Sequence, residues 1–366
     1  MTLAGLHLVA VLSAVMQDSA LVARAHGQPD SVRESIRTHL ASSEVTSAHA
    51  LARAYAVAWR DSFFVREVER FTAWPEAARS AKLAADSLRR AGNAALGRYG
   101  VAAAMRDWRE SLQRCEAIAD SAGMGAALGN IGAGFYQSGE LDSAASYFER
   151  ARLVAARVGD VRTQGNATGA LASVTADRGD LRQAAGLYAR AAELRAQSGD
   201  DRGAAADRNN LGLIAQNLGD LDGARSAFTT ALASNRRAAR DDAAAVNLIN
   251  LGNLASLVGD YPQATAHYHE ALALDRSGCR TRGARTQRRS DRCRFPSTSA
   301  PASTRQPPRA SLLQVEAARC TSAIAVPFRR TSLDGGPPCA ATGGCSRRPC
   351  CDEPPLSSPN WWPQIG

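Results

Sequence analysis

RNNLGLIAQNLGDLDGARSAFTTA (208–231) is followed 40 residues later by LINLGNLASLVGDYPQATAHYHEA (248–271). The same pattern stands upstream at the same spacing, as TGALASVTADRGDLRQAAGLYARA (168–191) and LGNIGAGFYQSGELDSAASYFERA (128–151). Overlaid, the four copies share Gly139, Gly179, Gly219 and Gly259, with an acid after each. They also share Ala144, Ala184, Ala224 and Ala264, and further along Ala151, Ala191, Ala231 and Ala271. An aromatic column runs Phe148, Tyr188, Phe228, Tyr268, and an apolar one runs Ile131, Leu171, Leu211, Leu251. A fixed period of this size marks a solenoid and outranks any local reading.

Each column has a physical task. The shared Gly separates two helical patterns and ends the first helix in a conformation that Gly adopts most cheaply. The acids behind it (Glu140, Asp180, Asp220, Asp260) suit the N-cap of the second helix. Gly132, Ala172, Gly212 and Gly252 fall in mid-helix, where Gly costs roughly 1 kcal/mol against Ala. Such a column predicts that the paired helix crosses closely there. The aromatic column is expected to fill the space between units. A helix–turn–helix of this kind cannot bury its apolar face without a neighbour.

These residues resemble the tetratricopeptide repeat in its longer, 40-residue form, as found in kinesin light chains and many bacterial regulators. The first-helix Tyr usual in that family survives only as Phe135, with Thr175, Ala215 and Ala255 in the other copies. A further copy fits in register upstream through Gly92, Ala104, Trp108, Ala119 and Asp120. The resemblance covers residues 85–276, about five units, and implies an all-α, right-handed superhelical solenoid. In that family the first helices line a concave groove, where Asn can hold a peptide backbone through its paired donor and acceptor. The matching positions here are Asn130, Asn210 and Asn250, with Ala170 in the gap, and Asn253, Gln137 and Asn217 join them. The family's Lys-rich clamp for a C-terminal carboxylate is absent.

Composition divides the chain sharply. Residues 1–276 hold 30 basic and 30 acidic side chains, so the formal charge of +9 belongs to the remainder. Residues 277–366 carry 14 Arg, 12 of the 15 prolines, seven of the eight cysteines and no His. That segment keeps no helix or strand period apart from 311–326, and it reads as a disordered, Arg/Pro/Cys-rich tail. Arg, Pro, Ser, Thr and Cys without Lys is also what GC-rich DNA encodes out of frame. The basic balance therefore describes an appendage, and nucleic-acid binding is not expected.

At the other end, the apolar run from Leu3 to Met16 is too short to span a membrane. With Ala23-Arg24-Ala25 behind it, the run resembles a secretory signal peptide over residues 1–25, which implies an exported or periplasmic protein, and otherwise a cytoplasmic one. Residues 28–84 read as helical: Asp30-Ser31 starts one helix, Val45–Trp59 a second, and Phe63, Phe64, Val68 and Phe71 stripe a third. The expectation is an N-terminal cap or diverged repeat that shields the end of the array.

No catalytic or metal-binding set emerges. The tail cysteines (Cys279, Cys293, Cys320, Cys339, Cys345, Cys350, Cys351) form no CxxC pair and have no His beside them. His267 and His269 point about 200° apart on a helix, and Cys115 reads as packing. The leader, the long repeats and AADSLRRAG (84–92) resemble the front of bacterial proteins that join such repeats to a caspase-like (CHAT) peptidase domain. That family needs a Cys nucleophile and an activating His, yet no His follows His269. The expected function is a non-catalytic scaffold for a protein or peptide, without cofactor. The alternative is the regulatory half of such a peptidase.

Overall fold

The structure, a computed structural model, describes residues 18–274. The apolar leader and the tail from 277 onward lie outside the described residues. Among the described residues there are 14 helices and no strand. They are α1 (18–27), α2 (Pro29–Ala41), α3 (Val45–Trp59), α4 (Phe63–Ala73), α5 (Glu76–Tyr99), α6 (Val101–Ala117), α7 (Ser121–Gln137) and α8 (Leu141–Val158). Then follow α9 (Val161–Asp177), α10 (Leu181–Gln197), α11 (Asp201–Asn217), α12 (Leu221–Arg237), α13 (Asp241–Leu257) and α14 (261–274). From α5 onward each helix packs on the next, and α5, α7, α9, α11 and α13 also touch in sequence. The array is a solenoid whose odd-numbered helices form one face.

The turns recur at 20 residues, half the period of the repeat. A residue with positive φ stands at 119, 139, 159, 179, 199, 219, 239 and 259, and only at Ala119 and Ala239 is it not Gly. The residue after it caps the following helix. Asp120, Asp160, Asp180, Asp200 and Asp220 accept from the backbone N–H three residues on, and so does Asp260. Glu140 and Arg240 stand at the same position and make no such bond. The same αL turn and cap thus join helices within a repeat and between repeats.

The mid-helix Gly column is explained by a ring more than by backbone. A Cβ on Gly92 would lie 2.6 Å from Trp108, one on Gly132 2.7 Å from Phe148, one on Gly212 2.5 Å from Phe228, and one on Gly252 2.6 Å from Tyr268. In these four units the aromatic therefore lies against the mid-helix Gly of its own first helix. It also reaches the next unit: Phe148 packs with Ala170 and Val174, and Phe228 with Ala244 and Leu248. Rings buried on both sides are the main apolar fastening between repeats.

Helices α1–α4 lie along the edge of the array made by the turns that join one repeat to the next. This placement differs from a cap over the array's end. Trp59 packs on Gly199, and Arg66 donates to the Val158 carbonyl beside Gly159. Arg33 and Tyr55 both donate to the Ser198 carbonyl, at 2.7 and 2.8 Å. The N-terminal core of Val32, Ile36, Leu51, Tyr55, Phe64 and Val68 closes against Ala122 and Val158 of the array. Residues 23–25 lie within α1, where Ala25 is fully buried and its carbonyl accepts from Trp59 Nε1 at 2.9 Å. His26 stacks on the same indole.

Candidate binding cleft

Between the N-terminal helices and the first helices of the array lies a cleft of about 1040 Å³, including its open mouth. Its apolar wall follows from helical spacing. Ile36 and Leu40 stand one turn apart on α2, and Phe63, Phe64 and Phe71 line the inner side of α4. Trp74 and Leu83 extend this wall towards α5. The opposite wall is made of small residues on α7 (Ala122, Gly123, Ala126) and of Thr163 and Asn166 on α9.

Several of the charged groups that line the cleft are paired. Lys82 of α5 lies 3.1 Å from Asp86 and 2.9 Å from Asp120, the buried cap of α7. Although burial works against it, those two carboxylates hold the Lys82 ammonium above the ordinary lysine range. Burial likewise pushes Asp86 up, but Lys82, Arg89 and Arg37 outweigh it and leave the group below its usual value. Arg37 pairs with Glu34 at 3.4 Å, and Arg162 with Asp30 at 2.8 Å. Glu67 pairs with Arg70 at 2.7 Å, yet burial raises its carboxyl to about 7. Burial also raises Asp160, against the pull of its Thr163 cap bonds.

Asn166 stands apart from these pairs. It is 2% exposed, and neither its Nδ2 nor its Oδ1 has a hydrogen-bond partner. A buried amide left this way costs about 1–3 kcal/mol. Its equivalents are Asp86 in the first unit and Ala126, Ala206 and Val246 in the others, so polar side chains interrupt an apolar column at Asp86 and Asn166.

The residues expected from the sequence to line the groove fall on α7, α11 and α13, away from Asn166. Asn130 is 5% exposed and its amide donates to Asn93 of α5 at 2.8 Å. Asn250 donates to Asn209 of α11 at 2.8 Å, and Asn247 donates to the same oxygen at 2.9 Å. Asn210 is half-buried and shares a hydrogen bond with Tyr188. Gln137, Asn217 and Asn253 are exposed, and Asn253 accepts from Tyr268 at 2.7 Å. Asn130 and Asn250 thus bridge successive first helices, whereas Asn210 and Asn253 bond to tyrosines of second helices. Sequence reasoning missed Asn166, Lys82 and Arg37, and the column break at Asn166 is the signal that could have found it.

Among the described residues no group of three metal-ligating side chains occurs, and no helix is long and apolar enough to cross a membrane. Cys115 is buried, which together with nearby Asp120 pushes its thiol up to about 12.

Residues 204–277 match the tetratricopeptide repeat family. No curated protein matches the sequence. Among solved structures, the apo form of RapI superposes with a TM-score of 0.50, covering 65% of this chain and 83% of that one at 13% identity. BtubC (BKLC) from P. vanneervenii gives 0.49 over 75% of this chain and 99% of that one at 18% identity. A Rap protein complexed with competence and sporulation factor gives 0.47, over 71% and 76% of the two chains at 14% identity. At these identities the likeness concerns the fold, and the array is built of tetratricopeptide-type repeats.

Proposed function

We propose that this tetratricopeptide-repeat solenoid is a non-catalytic scaffold that binds a protein or peptide along the face of its first helices. The observation that carries this reading is the row of amides on that face. Asn210, Asn250, Asn253, Gln137 and Asn217 stand half-buried or exposed on neighbouring helices, and Asn130 sits deeper at the same register. An amide that spans two helices in the free protein can exchange that bond for an extended peptide backbone, gaining a donor and an acceptor in one plane. Two hydrogen bonds of roughly 0.5–1.5 kcal/mol each correspond to a change of about fivefold to about a hundredfold in affinity. A partner captured by pull-down should bind Asn210→Ala and Asn250→Ala more weakly by that factor. Unchanged affinity in both variants, with the helical content intact, would move the site off this face.

A second reading makes the chain the regulatory half of a caspase-like peptidase. It draws on AADSLRRAG (84–92), which lies within α5, where Asp86 and Arg89 line the cleft. The DNA downstream of codon 276 decides it: a frame that continues the repeats into a peptidase domain supports this reading, and none removes it.

A further inference from the structure

The cleft between the N-terminal helices and the array holds one feature that the folded chain does not use. Asn166 is buried, lines the cleft and a small adjoining gap, and offers an unpartnered amide nitrogen and an unpartnered carbonyl oxygen. Opposite it, Gly125, Ala126 and Gly129 of α7 leave the space open, and a Cβ on Gly129 would meet nothing within 4 Å. Across the cleft stand Ile36, Leu40, Phe63 and Phe71.

The chemistry of the occupant follows from what the walls have left over. A phosphorylated or strongly anionic ligand would need free cations, and the buried and half-buried cations here are already engaged, while Arg90 stands exposed at the edge of the cleft. Lys82 is held by Asp86 and Asp120, Arg162 by Asp30, and Arg37 by Glu34. An unpaired planar amide beside an apolar wall suits a neutral group that carries an acceptor and a donor side by side, next to an apolar side chain. An extended peptide supplies that combination at each residue.

We propose that the cleft binds an extended peptide segment, with Asn166 pairing to the N–H and C=O of one residue and a neighbouring apolar side chain lying on the Ile36–Leu40–Phe63–Phe71 wall. This rests on the scaffold reading above and adds a second, closed site to it. The N-terminal helices then serve as one wall of a binding site, held on the array by Arg33, Tyr55 and Trp59. The occupied state satisfies an amide that the empty state leaves without a partner.

The test is a phage-displayed library of random dodecapeptides panned against the full chain. Recovered peptides are then measured against the wild type, Asn166→Ala, Asn210→Ala and Asn250→Ala. The expected result is binders enriched in apolar residues that lose tenfold or more in affinity with Asn166→Ala. N-methylation of one peptide amide should give a similar loss, and combining the two should add little. Asn166→Ala should melt no lower than the wild type, because the substitution removes an unpartnered buried amide. Binders weakened by Asn210→Ala or Asn250→Ala but not by Asn166→Ala overturn the cleft site and leave the groove standing. A library without binders overturns it too, while a folded protein partner remains open to the wider reading. Binding of ATP that depends on Asn166, with no peptide recovered, assigns the cleft to a nucleotide and overturns the proposal.

Discussion

Two turns break the 20-residue pattern, and the turn between α12 and α13 breaks it twice. Ala239 holds a φ of +49° where the intra-repeat turns have Gly, and Arg240 stands where an acid caps the next helix. A left-handed conformation costs a non-Gly residue roughly 1–2 kcal/mol, partly offset by the larger unfolded-state entropy of Gly. Ala239→Gly should therefore stabilise the protein by about 1 kcal/mol. Arg240→Asp restores the cap, worth about 1 kcal/mol, and removes a cation from the positive end of α13. Against this stands the loss of an exposed hydrogen bond from Arg240 to the Asp201 carbonyl at 3.3 Å, a few tenths of a kcal/mol at such a site. Burial and then Arg202 lower the Arg240 pKa, against the pull of Asp201, Asp200 and Asp242, and those same carboxylates oppose an Asp in its place.

The double variant should gain about 2 kcal/mol, or several degrees in melting temperature for a domain of this size. Repeat arrays unfold in segments, so a global melt can dilute the effect. Amide hydrogen exchange in α12 and α13 is the sharper assay, and protection there should rise more than in α7 and α8. The mirror experiment is Gly219→Ala with Asp220→Ala, at a turn where a Cβ meets nothing within 4 Å. That pair should lose about what the first gains. Neutral or destabilising results for Ala239→Gly and Arg240→Asp alike would refute the account of the turns as interchangeable caps.

Three further outcomes are expected. Gly252→Leu should overpack Tyr268 and cost about 1–3 kcal/mol in a urea melt, whereas Gly212→Ala should cost less, since Ala172 is accommodated over Tyr188; equal effects would mean that the rings are not the obstacle. Burial raises Asp207 to about 7 despite Arg195 at 3.3 Å, and raises Glu67 likewise, so both favour their protonated forms in the folded state. The associated stability is fully present below the ordinary carboxylate range and is lost as pH rises through 7, so melts should weaken from pH 5 to pH 8 and Asp207→Asn should flatten that slope. A chain that begins at His26 loses the Ala25 carbonyl under Trp59 and the packing of Leu21, Val22 and Ala25, and should melt lower by about 1–3 kcal/mol; an unchanged melt would show that α1 contributes nothing to the N-terminal core.

The period of 40 made the array legible, because each column of Gly, Ala or aromatic recurs wherever the same contact recurs. The half-period of 20 was less visible, although Gly-Asp stands at 159–160 and 199–200 as it does at 179–180 and 219–220. Ala119, Ala239 and Arg240 interrupt it, and cap chemistry tolerates such exceptions at a modest cost. The mid-helix Gly column pointed to close approach correctly but not to its agent, since ring and backbone leave the same small residue behind. The N-terminal helices were readable as helices and not as an edge. Their anchors join residues 143 and 165 positions apart, and a single contact at that separation leaves no periodic trace. Asn130 could be placed on its face by register alone. Its burial depends on Asn93, which lies in a diverged first helix that the columns describe poorly.

Two of the turns between repeats, at Gly159 and Gly199, carry two constraints where the turns within repeats carry one. Gly139, Gly179, Gly219 and Gly259 are needed for positive φ alone, and a Cβ on any of them would meet open space. Gly159 and Gly199 have the same backbone conformation, but Arg66 and Trp59 occupy the place where a side chain would go. These two anchor points are 40 residues apart, one repeat, so α3 and α4 span the spacing between α9 and α11. A rigid pair of helices fastened at two successive repeats resists any change in that spacing. Asn166 lies on α9, between the two anchors, and Lys82 and Asp120 tie the same region to α5 and α7. Among the described residues, the array is therefore braced where its one unpartnered buried amide sits, and its later repeats, from α11 to α14, have no such brace. A ligand that needs a preformed site gains from the braced end, and one that bends the superhelix acts more easily at the other.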